Sequence, residues 1–268
     1  MKLDRITDAD DPRLVDYRDV RDPRRLREQG VFLAEGRTVV RGLIGDARYQ
    51  LRSLLVTATA LDALGDALEQ LAARTPVYLV DRAQLDRVSG VRFHQGCVGA
   101  VDLPPERDPE SLTGPEMRHV VVLEAVTDPD NVGSIFRNAS AFGMQAVFVD
   151  ARCASPLYRK AVRTSLGATL RLPFARFELP AGLAQLRDRG FRVLALTPAD
   201  DAVELAAEPL AERTALLLGS EGEGLSAAVL AVADVRVRIP MVAGSDSVNV
   251  ATAGAIAMQR IYAAAADR

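Results

Sequence analysis

Apolar and polar positions alternate in two separate blocks of this chain. From residue 31 the pattern switches between a period of two and a period near 3.6. It predicts strands at 31–36, 51–57, 77–80 and 97–101, with helices at 37–43, 61–74 and 82–88 between them. Strands and helices taken in turn make a small α/β domain. Residues 103–109 (Leu-Pro-Pro-Glu-Arg-Asp-Pro), with Gly114-Pro115 close behind, then break the pattern as a linker would. After Met117 the alternation restarts. Strands are expected at 119–124, 146–150, 170–173, 191–196, 214–218 and 235–239, and helices at 132–142, 156–166, 180–189, 202–207, 226–232 and 248–265. Strands this apolar, each followed by a helix, predict a mostly parallel sheet covered on both faces. The predicted organisation is 1–103 as a first domain whose residues 1–30 form an arginine-rich helical extension, 104–117 as linker, and 118–268 as a second domain.

Composition narrows the classes. The chain has 268 residues, is 49% hydrophobic and carries a net charge of −3, as a globular protein does and a wholly basic nucleic-acid protein does not. No apolar run is long enough for a membrane span and the charged N-terminus lacks a signal-peptide core, so a cytoplasmic location is expected. Two cysteines (Cys97, Cys153) and two histidines (His94, His119) scattered singly predict neither a disulfide nor a metal site. Lysine occurs only at positions 2 and 160, and the arginine excess fits codon bias as well as RNA binding. Arg18, Arg21 and Arg25 fall on one face at helical spacing, which reads either as a salt-bridged solvated face or as a phosphate-contacting patch.

Ligands on open α/β sheets bind beyond the carboxyl ends of the strands, and three loops there carry chemistry. The first runs Asp128-Pro129-Asp130-Asn131-Val132-Gly133 and leads to Arg137 in the second turn of the following helix. The second, Gly219-Ser220-Glu221-Gly222-Glu223-Gly224-Leu225, has glycines for close backbone approach but neither standard phosphate-binding fingerprint. Its two carboxylates would repel phosphate and suit a neutral or cationic ligand. The third runs from Arg238-Ile239-Pro240-Met241 to Ser247-Val248-Asn249, where the strand stops at proline and an Ala-rich helix begins. Ser247 and Asn249 stand where a side chain caps a helix or holds a ligand. The plain alternative for Arg137 is a helix arginine paired with a carboxylate such as Asp130.

Together the three loops resemble the motifs of the SpoU (TrmH-like) RNA ribose methyltransferases, in the same order and with the same five residues between Met241 and Ser247. The resemblance covers residues 118–265 closely. Phe32-Leu-Ala-Glu35-Gly36-Arg37 and His94-Gln95-Gly96 more loosely resemble the L30e-like RNA-binding domain that often precedes it, although His94 and Gln95 suit a plain turn as well. Asp246, Val248 and Ala251 stand where glutamate, leucine and serine are common.

The resemblance implies a SPOUT fold, a parallel sheet with a deep C-terminal trefoil knot, and a homodimer packed through the second domain. It implies S-adenosylmethionine held by Leu196, Thr197, Gly219, Ser220, Gly224, Ile239, Met241, Val248 and Asn249. Arg137, with Asn131, Glu221, Ser247 and Asn249, would form the catalytic group, and Ser165 and Gly167 would lie near it unless they merely end a helix. The implied reaction is methylation of a ribose 2′-hydroxyl in structured RNA, ribosomal RNA (23S) before transfer RNA. The competing readings are a transfer-RNA 2′-O-methyltransferase, a non-catalytic RNA-binding or ribosome-assembly factor, and a base methyltransferase using Glu221.

Overall fold

The computed structural model describes residues 2–72, 74–242, 244 and 246–266. Its strands are β1 (Lys2–Arg5), β2 (Val31–Glu35), β3 (Leu51–Val56), β4 (Pro76–Leu79), β5 (Cys97–Asp102), β6 (His119–Leu123), β7 (Ala146–Val149), β8 (Phe174–Arg176), β9 (Arg192–Leu196), β10 (Val203–Glu204), β11 (Thr214–Leu218) and β12 (Val235–Arg238). Its α-helices are α1 (Pro23–Glu28), α2 (Arg37–Leu43), α3 (Ala58–Leu64), α4 (Arg82–Ser89), α5 (Pro129–Ala141), α6 (Arg159–Thr164), α7 (Ala168–Arg171), α8 (Ala181–Asp188), α9 (Ala227–Val232) and α10 (Val250–Ala266). The chain divides into two compact units, Met1–Pro105 with Leu157–Gly167, and Glu106–Pro156 with Ala168–Arg268.

The first unit is built on a five-stranded sheet in the order β1-β4-β3-β5-β2. The parallel strands β1, β4 and β3 are followed by the antiparallel β5 and β2. Because successive side chains on a strand point to opposite faces, β3 feeds two cores. Leu54 and Val56 pack with Val40, Ala60 and Leu64, while Leu55 packs with Leu14, Tyr17 and Phe93. Burial pushes the Tyr17 phenol's pKa up, and its hydroxyl is satisfied by Ser53 Oγ at 2.7 Å.

Segment Leu157–Gly167 belongs to this unit although both its neighbours along the chain belong to the other. Arg159 on α6 reaches Glu35 at the end of β2, Nη1 to Oε2 at 3.3 Å, and donates from Nε to Val20 O. The two residues are 7% and 2% exposed. Burial raises the Glu35 carboxyl's pKa, against the opposing pull of Arg163 and Arg159. A buried ion stripped of its partner is costly. Glu35→Ala is therefore expected to destabilise the protein by about 3 kcal/mol in denaturant titration, with Glu35→Leu/Arg159→Met together recovering most of it.

The second unit holds a seven-stranded, all-parallel sheet in the order β10-β12-β9-β11-β6-β7-β8. β11, late in the chain, lies between β6 and β9. One face is filled by Val120, Val122, Phe148, Phe177, Leu183, Leu186 and Val193. On α10, a Cβ added at Gly254 would come within 2.8 Å of Leu218 Cδ1, so this glycine lets the helix lie close on β11. α10 also packs along α5, where Asn138 Nδ2 donates to Ala251 O at 3.1 Å.

Several elements differ from the sequence pattern. Residues 170–173 are not a strand. Ala168–Arg171 is helical, with Leu172 N donating to Ala168 O, and the strand starts only past Pro173. The stretch expected as a helix at 202–207 instead lays Val203–Glu204 beside β12, where Arg238 donates to Ala202 O and pairs with Glu204. The helix expected at 61–74 starts at Ala58 and gives way to a 3-10 turn from Gly65, whose φ of +42° leaves the helical region. The strand β1 lies inside the expected helical extension and pairs with β4.

Arg18 is not helical, and the expected arginine face does not form. Arg18 donates to Ala9 O and Asp11 O, and Arg25 to Arg18 O and Val15 O, so both are spent on backbone carbonyls. His119 opens β6.

Candidate active site

The parallel register brings the site loops to one edge. Leu218 pairs with Leu123, Leu217 with Ala195 and Leu196 with Val237. The loops after β6, β9, β11 and β12 therefore leave the sheet side by side, at the carboxyl ends where α/β sheets place their ligands.

α5 is started by its sequence. Asp128 caps it by accepting Asp130 N at 2.9 Å, and Pro129 occupies the first turn, where no amide hydrogen is needed. This places Asn131 at the mouth of the loops. Its Nδ2 donates to Glu221 Oε1 at 2.6 Å, and its Oδ1 accepts from Asn249 Nδ2 at 2.9 Å. Asn249 Oδ1 in turn accepts the amides of Ala251 (2.9 Å) and Thr252 (3.3 Å), capping α10. One relay of three side chains thus ties together loops separated by 90 and 118 residues of sequence. Asn249 is the helix cap that its position suggested, and its amide reaches across the site to Asn131.

The glycine loop closes on itself. Ser220 and Gly224 exchange both backbone hydrogen bonds at 3.1 Å, and Gly224 takes a φ of +71°. Ser220 Oγ accepts Glu223 N at 3.2 Å, locking the turn from inside. Ser247, Met241 and Val248 are all exposed on the third loop, and Ser247 makes no hydrogen bond among the described residues. Leu196, Thr197 and Ile239 are partly buried at the strand ends, and Thr197 N donates to Val237 O. Arg137 is exposed on α5 and makes no hydrogen bond or ion pair among the described residues, so the pairing with Asp130 does not occur. Ser165 and Gly167 end α6 within the first unit. Gly167, with φ +77°, donates its amide to Val162 O, as a glycine closing a helix does.

Asn249 offers a clean separation of its two roles. Asn249→Asp keeps the cap oxygen but loses the donor to Asn131, whereas Asn249→Ala loses both. The alanine variant is expected to lose about 1 kcal/mol of stability and the aspartate variant little, with turnover falling in both. Melting temperature and reaction rate, measured on the same preparations, check this.

Sequence reasoning missed Glu124 and Arg152, which stand behind the glycine loop. The available signal was a single carboxylate closing the apolar run of β6.

The carboxyl edge of this parallel sheet carries an acidic glycine turn and a polar side-chain relay, at the place where α/β folds bind their ligands. Residues 118–259 match the model of the SpoU rRNA Methylase family. Over 260 residues, 94% of this chain and 89% of the relative, the sequence is 42% identical to an uncharacterized tRNA/rRNA methyltransferase of Mycobacterium tuberculosis. The structure matches that of an RNA 2′-O ribose methyltransferase with a TM-score of 0.78 at 26% identity, over 97% of this chain and 99% of that one. It matches an AdoMet-bound rRNA methyltransferase from Sinorhizobium meliloti with a TM-score of 0.83 at 22% identity, over 97% of both chains. The chain belongs to the SpoU family of RNA methyltransferases.

Proposed function

We propose that this protein methylates a ribose 2′-hydroxyl in structured RNA, ribosomal RNA of the large subunit (23S) rather than transfer RNA, with S-adenosylmethionine as donor. The observation that carries the reading is the Asn131–Glu221–Asn249 relay, which ties the three loops together at one sheet edge; α5 also carries Arg137, exposed and with no partner among the described residues. The residues present fit the donor. Met241, Val242 and Val248 hold apolar side chains 38%, 83% and 41% exposed on the third loop, where an adenine face would cover them. The carboxylates of Glu221 and Glu223 suit a cationic amino acid moiety and disfavour phosphate. Leu196, Thr197, Gly219, Ser220, Gly224 and Ile239 would contribute mainly backbone groups.

When bound, S-adenosylmethionine supplies a methyl group already activated by its sulfonium. The chain's task is then to place the ribose oxygen in line and to make it a better nucleophile. Arg137 is permanently charged and acts as an electrostatic partner. Its guanidinium donates to the 2′-oxygen, stabilises the charge that develops there and eases loss of the hydroxyl proton to water. Asn131, Glu221 and Asn249 hold the three loops in register, and Ser247, without a hydrogen bond among the described residues, offers its hydroxyl to ribose or phosphate.

The resemblance extends this reading to assembly. The chain would thread its C-terminal segment into a trefoil knot and pair as a homodimer through the second domain. Ile256 and Tyr262, 43% and 52% exposed on α10, would lie at the interface, and Arg137 would act beside the donor held by the other protomer. The L30e-like first domain (1–103, joined by 104–117) would bind the RNA. No helix among the described residues is long and apolar enough to cross a membrane, and with cellular RNA as substrate the protein would work in the cytoplasm.

Incubation with tritiated S-adenosylmethionine and either total ribosomal or total transfer RNA tests the reading. Label in ribosomal RNA, resistant to alkali at one dinucleotide, is expected. Label in transfer RNA alone would reassign the substrate, and label removed from the ribose with the base would overturn the ribose assignment. Absence of label in either pool would favour a non-catalytic RNA-binding role.

A further inference from the structure

Glu124 follows β6 immediately and is 3% exposed. A carboxylate so deeply buried needs its oxygens satisfied, and both are. Oε2 accepts the amide of Ser226 at 2.8 Å, and Oε1 pairs with Arg152 Nη2 at 2.9 Å. Arg152 is held in turn by Asp150, Nε to Oδ2 at 3.1 Å. Asp150 is itself 6% exposed, and its Oδ1 accepts the amides of Ala125, Arg152 and Cys153. Burial pushes the Asp150 pKa up, but the hydrogen bonds from Cys153, Ala125 and Arg152 prevail and hold it below the ordinary value. Two buried carboxylates thereby share one solvent-facing guanidinium at the ends of β6 and β7.

Ser226 is the point at which the glycine loop becomes α9. Its side chain caps that helix through Val229 N at 3.3 Å, while its own amide is taken by Glu124. The loop Gly219–Leu225 is thus pinned at one end by β11 and at the other by a carboxylate from the neighbouring strand. We infer that Glu124 is a positioning residue for the donor-binding glycine loop, with Arg152 and Asp150 fixing its carboxylate. This rests on the reading that the loop holds S-adenosylmethionine. Without the Glu124 oxygen, the Ser226 amide loses its protein acceptor, and because Ser226 lies at the surface that end of the loop can lift from the strand edge and bond to water instead.

Glu124→Gln retains an oxygen that can accept the Ser226 amide, while Glu124→Ala retains none. The test compares both with the wild type in two measurements. In the apoprotein, hydrogen exchange at residues 220–226 is expected to accelerate about tenfold in Glu124→Ala and far less in Glu124→Gln. By calorimetry, the Kd for S-adenosylmethionine is expected to rise about tenfold in the alanine variant and to recover in the glutamine variant, with KM for RNA unchanged in both. Equal effects of the two substitutions would overturn the inference. So would a lowered melting temperature with loop exchange and donor affinity unchanged, which is what a purely structural carboxylate gives. A wild type that fails to bind the donor would instead defeat the underlying reading, and the apoprotein exchange would still decide whether Glu124 holds the loop.

Discussion

Arg137→Ala is expected to lower the rate of methyl transfer by about 10²- to 10³-fold, the scale seen when one preorganised donor to a developing oxyanion is removed. Stability should barely change. The side chain is exposed and, among the described residues, has no carboxylate or carbonyl that its loss would orphan. Donor affinity should also hold, because the relay of Asn131, Glu221 and Asn249 does not pass through it. Arg137→Lys keeps the charge but not the planar fork of donors and should recover only part of the rate. Single-turnover kinetics beside melting temperature and donor titration check all three statements. A proportional loss of stability and rate would show that the arginine shapes the site instead of serving the reaction.

Gly219→Ala is expected to abolish measurable donor binding. A Cβ at this position would lie 2.2 Å from Gly224 C, 2.3 Å from Leu225 N and 2.5 Å from Gly224 O, all backbone atoms that no rotamer change can move. The loop would have to open, breaking the paired Ser220–Gly224 hydrogen bonds that close it. Forced backbone shifts of this kind cost about 1–3 kcal/mol, a modest loss for the whole protein but enough to dismantle the turn. The expected signature is a melting temperature lowered by a few degrees with no calorimetric signal for S-adenosylmethionine. Gly222→Ala is the control, since a Cβ there meets nothing within 4 Å.

The loops were legible in the sequence because their chemistry is local. A proline at the start of α5, three glycines in seven residues and an asparagine before an Ala-rich helix each demand a particular backbone, and the structure supplies it. Their assembly was legible only through resemblance, because hydrogen bonds spanning 90 and 118 residues leave no trace in periodicity. Leu170-Arg-Leu-Pro shows why alternation fails over short runs. The leucines read as a strand face, yet the backbone at 168–171 is helical and the strand follows the proline. Val203-Glu204 reads as a helix for the opposite reason, since a strand edge held by Arg238 needs only two residues and shows no period. Glu35 and Arg159 were beyond reach, as neither has a local reason to be buried.

The assignment of α6 to the first unit sets an order on synthesis. Glu35 leaves the ribosome 124 residues before its partner Arg159. At about 5–20 residues per second that interval is on the order of ten seconds. Throughout it, the nascent first unit lacks the helix that neutralises its buried carboxylate, so it cannot finish packing as an independent body. The usual sequence, in which a leading domain is complete before the next begins, is closed to this chain.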